Sequence, residues 1–250
     1  MTTAFVTGAG RGIGRAIALR LAKAGLAIGV TDLDGGTAAA VAGEIQAAGG
    51  RATSVVADVT SSESMRAAVA AVEGALGPID VLVNNAGWDE FHFFAETEPA
   101  FWDKVIAINY RGVLATTHAV LAGMTARKRG RIVSIASDAG RVGSTGESVY
   151  SGCKAAVIGF SKALAREVAR KGITLNTVCP GPTDTPLLAA VAGDDERGQK
   201  IRAALVSAIP MKRVGQPDDI PGAVCFLASD DAAFITGQTI SVSGGLTMHG

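Results

Sequence analysis

Cysteine is scarce in this chain. Cys153, Cys179 and Cys225 are the only three in 250 residues, and they lie far apart. An odd number at these spacings argues against a disulfide framework, and without a Cys-x-x-Cys they offer neither zinc ligands nor a redox pair. No metal site is expected. Small, buried, reduced thiols are the simpler reading, which points to the cytoplasm. Charge has no surplus of either sign: Lys plus Arg and Asp plus Glu both number 23. A protein that grips phosphate backbones needs a basic excess, so nucleic acid is not an expected partner. No apolar run approaches the roughly 18 residues of a membrane span. The opening "MTTAFVTGAG" does not follow the basic, apolar, small-residue order of a signal peptide.

What is abundant is apolar residues, at 48%, and glycine, with 32 residues, about twice the usual share. Seven short β-branched runs stand out: "TAFVTGA", "AIGVTDL", "ATSVVAD", "IDVLVNNAG", "GRIVSIAS", "ITLNTVCPG" and "QTISVSGG". Helix-like stretches separate them, such as "GRAIALRLAKAG" and "FSKALAREVARKG", both ending at a Lys-x-Gly or Lys-Gly suited to a C-cap. Strand–helix alternation of this kind predicts right-handed crossovers and a parallel sheet covered on both faces. No Pro/Ser linker or charge run divides the chain, so residues 1–250 read as a single doubly wound α/β domain. Ligands of such sheets bind beyond the carboxyl ends of the strands.

The first strand runs into "VTGAGRGIGRAI", with Gly8, Gly12 and Gly14 in a G-x-x-x-G-x-G spacing. Glycines there let the backbone turn sharply and approach a pyrophosphate at the positive end of the next helix. Asp32 closes the second strand, where a carboxylate can accept hydrogen bonds from both adenosine ribose hydroxyls and repel a 2′-phosphate. Asp32 can instead cap the following helix, but Asp34 is equally able to do so. Arg11 and Arg15 are the counterweight, since either can meet a 2′-phosphate. NAD is the expected cofactor.

Tyr150 and Lys154 stand four residues apart in "ESVYSGCKAAV", one helical turn on the same face. An alcohol gives up a hydride only if its hydroxyl proton also leaves. A free phenol titrates near pKa 10, and an adjacent ammonium favours its ionised form. Tyr150 is thus a candidate base for oxidation and, protonated, a candidate acid for carbonyl reduction.

Taken in order, "TGAGRGIG" (7–14), "NNAG" (84–87), Asn109, Ser137 of "IAS", "YSGCK" (150–154) and "PGPTDT" (180–185) resemble the short-chain dehydrogenase/reductase family over essentially the whole chain. The resemblance implies a seven-stranded parallel Rossmann sheet and an NAD(H)- or NADP(H)-dependent oxidoreductase acting on CH–OH, usually assembled as dimers or tetramers. A homotetramer is expected. It implies a catalytic set of Asn109, Ser137, Tyr150 and Lys154. Ser137 would hold the substrate oxygen, Lys154 would also hold the nicotinamide ribose, and Asn109 would anchor a water on the proton path. It implies cofactor contacts from Gly8, Arg11, Gly12, Ile13, Gly14, Asp32, Asp58, Val59, Asn84, Asn85, Ala86, Gly87, Tyr150, Lys154, Pro180, Gly181, Thr183 and Thr185.

The loop "WDEFHFF" (88–94) follows the fourth strand and holds four of the chain's aromatics. It suits an apolar or cyclic substrate or, equally, a loop sealed onto the core. Trp88, Phe91, Ser137 and Leu187 are the candidate substrate contacts. Residues of about 186–212 are, by resemblance, a helical lid, with Leu187, Leu188 and Val191 facing inward and Arg197, Lys200 or Arg202 able to meet a phosphate-bearing tail. "NNAGWDEF" and "IASDAGRVGSTGESVY" are most similar to 2-hydroxycyclohexanecarboxyl-CoA dehydrogenases, which implies oxidation of a cyclic 2-hydroxyacyl-CoA to its 2-oxo product. A 3-oxoacyl-thioester reductase, another secondary-alcohol dehydrogenase and a non-catalytic NAD-binding sensor are the alternatives.

Overall fold

The computed structural model describes residues 2–192 and 196–248, apart from the side chains of 190–192 and 197. In chain order the elements are β1 (Thr3–Thr7), α1 (Gly12–Lys23), β2 (Ala27–Asp32), α2 (Gly35–Ala47), β3 (Ala52–Val56), α3 (Ser62–Leu76) and β4 (Ile79–Asn84). They continue with α4 (Pro99–Ile106), α5 (Gly112–Arg127), β5 (Gly130–Ile135), α6 (Ala139–Val142), α7 (Ser148–Val168) and β6 (Ile173–Pro180). α8 (Pro186–Ala192), α9 (Glu196–Ala208), α10 (Pro221–Ala228) and β7 (Thr239–Val242) complete the order. All seven expected runs form strands of one sheet in the order β3-β2-β1-β4-β5-β6-β7, and every paired neighbour is parallel.

Alternation along the strands builds a core on each face. Ala4 and Val6 of β1, Val81 and Val83 of β4, and Val133 and Ile135 of β5 pack with Ile17 and Leu21 of α1, Val41 and Ile45 of α2, and Val224 and Leu227 of α10. The intervening Phe5, Leu82 and Ile132 turn the other way, onto Met65 and Val72 of α3, Val120 and Met124 of α5, and Leu164 and Val168 of α7. Period-two side chains buried on both faces are what a parallel sheet wrapped by helices requires. The helix ends follow their residues: Gly25 and Gly172 take φ of +90° and +67° where the two Lys-Gly signals predict a stop.

α4 and α5 form one continuous rod, joined by a π turn over Ala107–Arg111. By length and apolarity alone, the 29 residues Pro99–Arg127 are enough to cross a bilayer. The rod instead packs against β4, α3 and α7. The strand order reverses between β1 and β4, so the crevice at their carboxyl ends is the switch point where ligands of such sheets bind.

Candidate active site

The turns after β1 and β4 are stapled together at that crevice. The Thr7 hydroxyl accepts the amides of Asn85 (3.0 Å) and Ala86 (3.1 Å), and Asn85 Nδ2 donates back to the carbonyls of Thr7 (3.0 Å) and Gly8 (2.9 Å). Asn84 is buried, donating to Thr117 and Ser134, and lines a small cavity with Thr7 and Ala86. Gly8 has φ of +61°, and an added Cβ there would stand 2.8 Å from the Ala86 Cα. Gly14 is required for closeness instead: its added Cβ would meet the Gly8 carbonyl at 2.0 Å. Gly12, with φ of +53°, opens α1 beside Ile13 and faces Thr185 from the other side of the crevice.

Asp32 sits at the end of β2 with one carboxylate oxygen accepting the Gly10 amide at 2.9 Å and the other accepting the Asp34 amide at 3.2 Å. Asp34, not Asp32, caps α2, accepting from Gly36 and Thr37. Arg15 is engaged by Glu44, with both carboxylate oxygens within 2.9 Å of one guanidinium nitrogen, while Arg11 is exposed at the helix start. Asp58 lies beyond β3 and accepts the amide and hydroxyl of Thr60; Val59 packs against Gly112. Beyond β6, which ends at Pro180, Thr183 donates to the Gly181 carbonyl, and Thr185 donates to Thr183 and accepts the Leu188 amide. The glycine turn, the Asp32 carboxylate and the start of α1 thus form a cradle that fits a dinucleotide.

Ser137 follows β5, where its hydroxyl accepts the Ala139 amide at 3.1 Å and lies within hydrogen-bond reach of Tyr150. Tyr150 and Lys154 share the buried face of α7, and Lys154 Nζ is 5.3 Å from the Tyr150 ring centroid. The ammonium donates to the Ile135 carbonyl at 3.0 Å, and Gly87 borders it closely. The electrostatics correct the simple picture of an ammonium easing phenol ionisation. Tyr150 is pushed well above the ordinary phenol range, first by burial and then by the carboxyl groups of Glu147 and Asp89, against a smaller opposing effect of the Ser137 hydroxyl. Burial also lowers Lys154 to about 8, so the cation itself is weakened.

Asn109 occupies the π turn, a feature often found where a helix serves a site. Its side chain is wholly buried and grips Trp88 on both sides, donating to the carbonyl at 2.6 Å and accepting the amide at 3.2 Å, with a third bond to the Val105 carbonyl at 3.0 Å. A cavity beside Tyr150 is lined by Asp89, His92, Phe94, Phe101 and Glu147 among others. Trp88 and Phe91 are not among its lining residues: Trp88 packs edge-on against Phe101 under Lys104, and Phe91 fills the space over Gly146. Leu187 and Leu188 are half-buried on α8. Arg202 pairs with Asp184 at 3.2 Å and Lys200 with Glu196 at 2.8 Å, so two of the three cations able to meet a phosphate hold carboxylates here. Val191 and Arg197 lie outside the described side chains. Phe101 and Glu147 escaped the sequence reading. For Glu147 the signal was its place three residues before Tyr150; for Phe101 the signal was only its aromaticity.

The family model described as enoyl-(acyl carrier protein) reductase matches residues 8–247. The chain is 40% identical to the 3-oxoacyl-(acyl-carrier-protein) reductase FabG of Vibrio harveyi, over 98% of this chain and 97% of that protein. It is 43% identical to the acetoacetyl-CoA reductase of Shinella zoogloeoides, over 97% of each. It is 39% identical to the (2S)-((R)-hydroxy(phenyl)methyl)succinyl-CoA dehydrogenase subunit BbsD of Thauera aromatica, over 98% of this chain and 96% of that one. With a match of this extent and the glycine turn, Ser137, Tyr150 and Lys154 gathered at one crevice, the chain belongs to the short-chain dehydrogenase/reductase family of oxidoreductases.

Proposed function

We propose that the chain interconverts a secondary alcohol and a ketone with NAD(H), on a substrate whose carbinol lies β to an acyl thioester, and that a cyclic 2-hydroxyacyl-CoA is its substrate. The observation that carries the reaction type is Ser137, Tyr150 and Lys154 converging at the carboxyl end of β5, beside the glycine turn. Bound nicotinamide would accept or donate the hydride. Tyr150 exchanges the proton at its phenol oxygen, Ser137 donates a hydrogen bond that holds the reacting oxygen, and Lys154 supplies positive charge and a donor for the ribose. Gly8, Arg11, Gly12, Ile13, Gly14, Asp58, Val59, Asn85, Ala86, Gly87, Pro180, Gly181, Thr183 and Thr185 surround the cofactor. Asp32 favours NAD, because a 2′-phosphate would approach a carboxylate, while Arg15, already held by Glu44, offers that phosphate little.

The thioester is supported by the relatives, two of which are named for CoA compounds and one for an acyl-carrier-protein compound. The ring is supported by the aromatic wall near Tyr150, where Phe94 and Phe101 are the nearer surfaces, Trp88 backs Phe101 and Phe91 packs over Gly146. A straight-chain 3-oxoacyl-thioester reductase is the second reading, favoured by the names of FabG and acetoacetyl-CoA reductase and by a phenol kept protonated. NADH absorbance with cyclic and linear β-hydroxyacyl-CoAs, their free acids and simple secondary alcohols separates these. The cyclic thioester is expected to give the highest kcat/KM, and its free acid a far lower one, since remote binding energy positions the reacting carbon. Preference for linear thioesters establishes the second reading, and preference for simple alcohols removes the thioester. We also infer a homotetramer, with α4, α5 and α7 at one interface and the segment carrying the fully exposed Phe234 at another. Sedimentation as a monomer at micromolar concentration would contradict it.

A further inference from the structure

Ser137 can hold a substrate oxygen only if its hydroxyl proton faces that oxygen. Its hydroxyl accepts the Ala139 amide at 3.1 Å, and its carbonyl accepts the Gly140 amide at 3.0 Å. A serine hydroxyl has one donor and room for two acceptances, so the Ala139 bond restricts where the donor can point. The turn 137–140 therefore sets the aim of the proton. On one side this turn has no room to shift, since a Cβ added to Gly140 would stand 2.6 Å from the Lys154 carbonyl carbon.

The turn is also held from β7, at the edge of the sheet. Asp138, next to Ser137, is 4% exposed, and one of its carboxyl oxygens accepts the Ser241 hydroxyl. The same hydroxyl accepts Arg141 Nη1 of α6 at 2.9 Å, and the Arg141 amide donates to the Asp138 carbonyl at 2.8 Å. Asp138, Ser241 and Arg141 thus close a ring that passes through β7. The backbone ties the same segments, with the Asp138 amide on the Pro180 carbonyl at 3.0 Å and the Gly181 amide on the Val242 carbonyl at 3.1 Å. The second Asp138 oxygen is buried with no hydrogen-bond partner among the described residues. Leaving a buried oxygen unbonded is destabilising, and the chain tolerates this at the residue beside Ser137.

We propose that Asp138 and Ser241 are positioning residues for the reaction: their hydrogen bond, braced by Arg141, holds the turn after β5 so that the Ser137 hydroxyl aims its proton at the reacting oxygen. This rests on the reading of Ser137 as the group that holds that oxygen. Asp138 and Ser241 act through Ser137 and not on the reacting atoms. A loosened turn lowers the fraction of time in which the donor is aimed, and small misplacements of such a group are expensive in rate.

Two measurements test this. Amide hydrogen exchange of the full chain, read by mass spectrometry, needs no substrate. In Ser241→Ala, exchange over 137–142 is expected to quicken on the order of tenfold while β5 keeps the parent's protection. Unchanged exchange over 137–142 would overturn the proposal. The second measurement is a double-mutant cycle on the single-turnover rate, with the substrate that the panel identifies. Ser241→Ala and Asp138→Ala are each expected to lower the rate by about 10–100-fold with little change in NADH affinity. Ser241→Thr, which keeps the hydroxyl, is expected to recover most of the loss. In a Ser137→Ala background the same substitutions are expected to lower the rate little, because the group they aim is gone. Losses that multiply in full with that of Ser137→Ala would mean that the ring is only structural, and would overturn the proposal. Ser241 is half-buried, so Ser241→Ala serves if Asp138→Ala does not fold. If Ser137→Ala keeps the parent's rate, the reading of Ser137 falls and takes the aiming role with it; the exchange over 137–142 distinguishes that result from a turn that Ser241 never held.

Discussion

Asn109→Ala is the perturbation whose cost can be worked most directly. The native side chain is wholly buried and makes three hydrogen bonds, two to the backbone of Trp88 and one to the Val105 carbonyl. Truncation strands the Trp88 amide and carbonyl, which are only partly buried, so some water reaches them. At about 1–2 kcal/mol for each stranded group, the loss is about 2–4 kcal/mol. For a chain of this length each kcal/mol moves Tm by about 2–4 °C, giving a fall of about 4–16 °C by differential scanning calorimetry. Asn109→Asp is the sharper control. It preserves shape and can still accept the Trp88 amide, but both donors are gone and a buried carboxylate faces two carbonyl oxygens. It is expected to melt below Asn109→Ala at neutral pH. If Asn109→Ala melts within a degree or two of the parent, or if Asn109→Asp matches the parent, the clamp on Trp88 is not what Asn109 contributes.

Tyr150→Phe is expected to lower kcat by at least 10²–10⁴-fold while NADH affinity, read by fluorescence titration, stays put; retention of half the rate would remove the proton-transfer role. Asp32→Ala is expected to narrow the preference for NAD over NADP in kcat/KM, and an unchanged ratio would show that the carboxylate does not read the ribose. Asp89 links stability to pH. Burial raises its carboxyl to about 7 from 3.8, so the folded state favours the protonated form. The associated stability is fully present below pH 4 and is lost as pH rises through about 7, a swing on the order of 4 kcal/mol. Urea midpoints at pH 5 and pH 8 should therefore differ more in the parent than in Asp89→Asn, and equal differences would place the cost elsewhere.

The sheet was legible because its information is local. Each of the seven strands announces itself by β-branched residues, six of the runs ending at Gly, Asp or Asn and the fifth at Ser137, and the two faces follow from alternation within a few residues. The Tyr150–Lys154 relation was legible for the same reason, since one helical turn fixes it. Asp34 as the cap of α2, leaving Asp32 to the crevice, also follows from position. What was not legible depends on distant segments meeting. The grip of Asn109 on Trp88 needs a π turn in a helix whose sequence reads as ordinary. The cavity that Asp89 and Glu147 both line joins the loop after β4 to the residue before α7. Arg202 and Lys200 read from sequence as a solvated helix face or as phosphate ligands, and their pairing with Asp184 and Glu196 is seen only in the fold. In the aromatic loop, composition alone does not say that Trp88 and Phe91 fill protein spaces while Phe94 reaches the cavity.

The same distinction bears on the acid–base chemistry. Spacing put an ammonium beneath a phenol, and by itself that favours the phenolate. Burial acts on both partners in the other sense, raising Tyr150 and lowering Lys154 to about 8, because a site closed to water disfavours each charge alone. Asp89 and Glu147 add to the rise on Tyr150. Without further positive charge the phenol is therefore ready to donate a proton, as carbonyl reduction requires. Alcohol oxidation requires the reverse, a phenol that can lose its proton while Lys154 keeps its own. These needs conflict as pH rises, since deprotonating Lys154 removes the charge that a phenolate depends on. The conflict is relieved if the cofactor itself brings a cation when oxidised and none when reduced. On that reasoning burial and the neighbouring carboxyl groups favour the protonated phenol, and under the proposed reaction a bound oxidised nicotinamide would supply the positive charge that lets Tyr150 serve as a base.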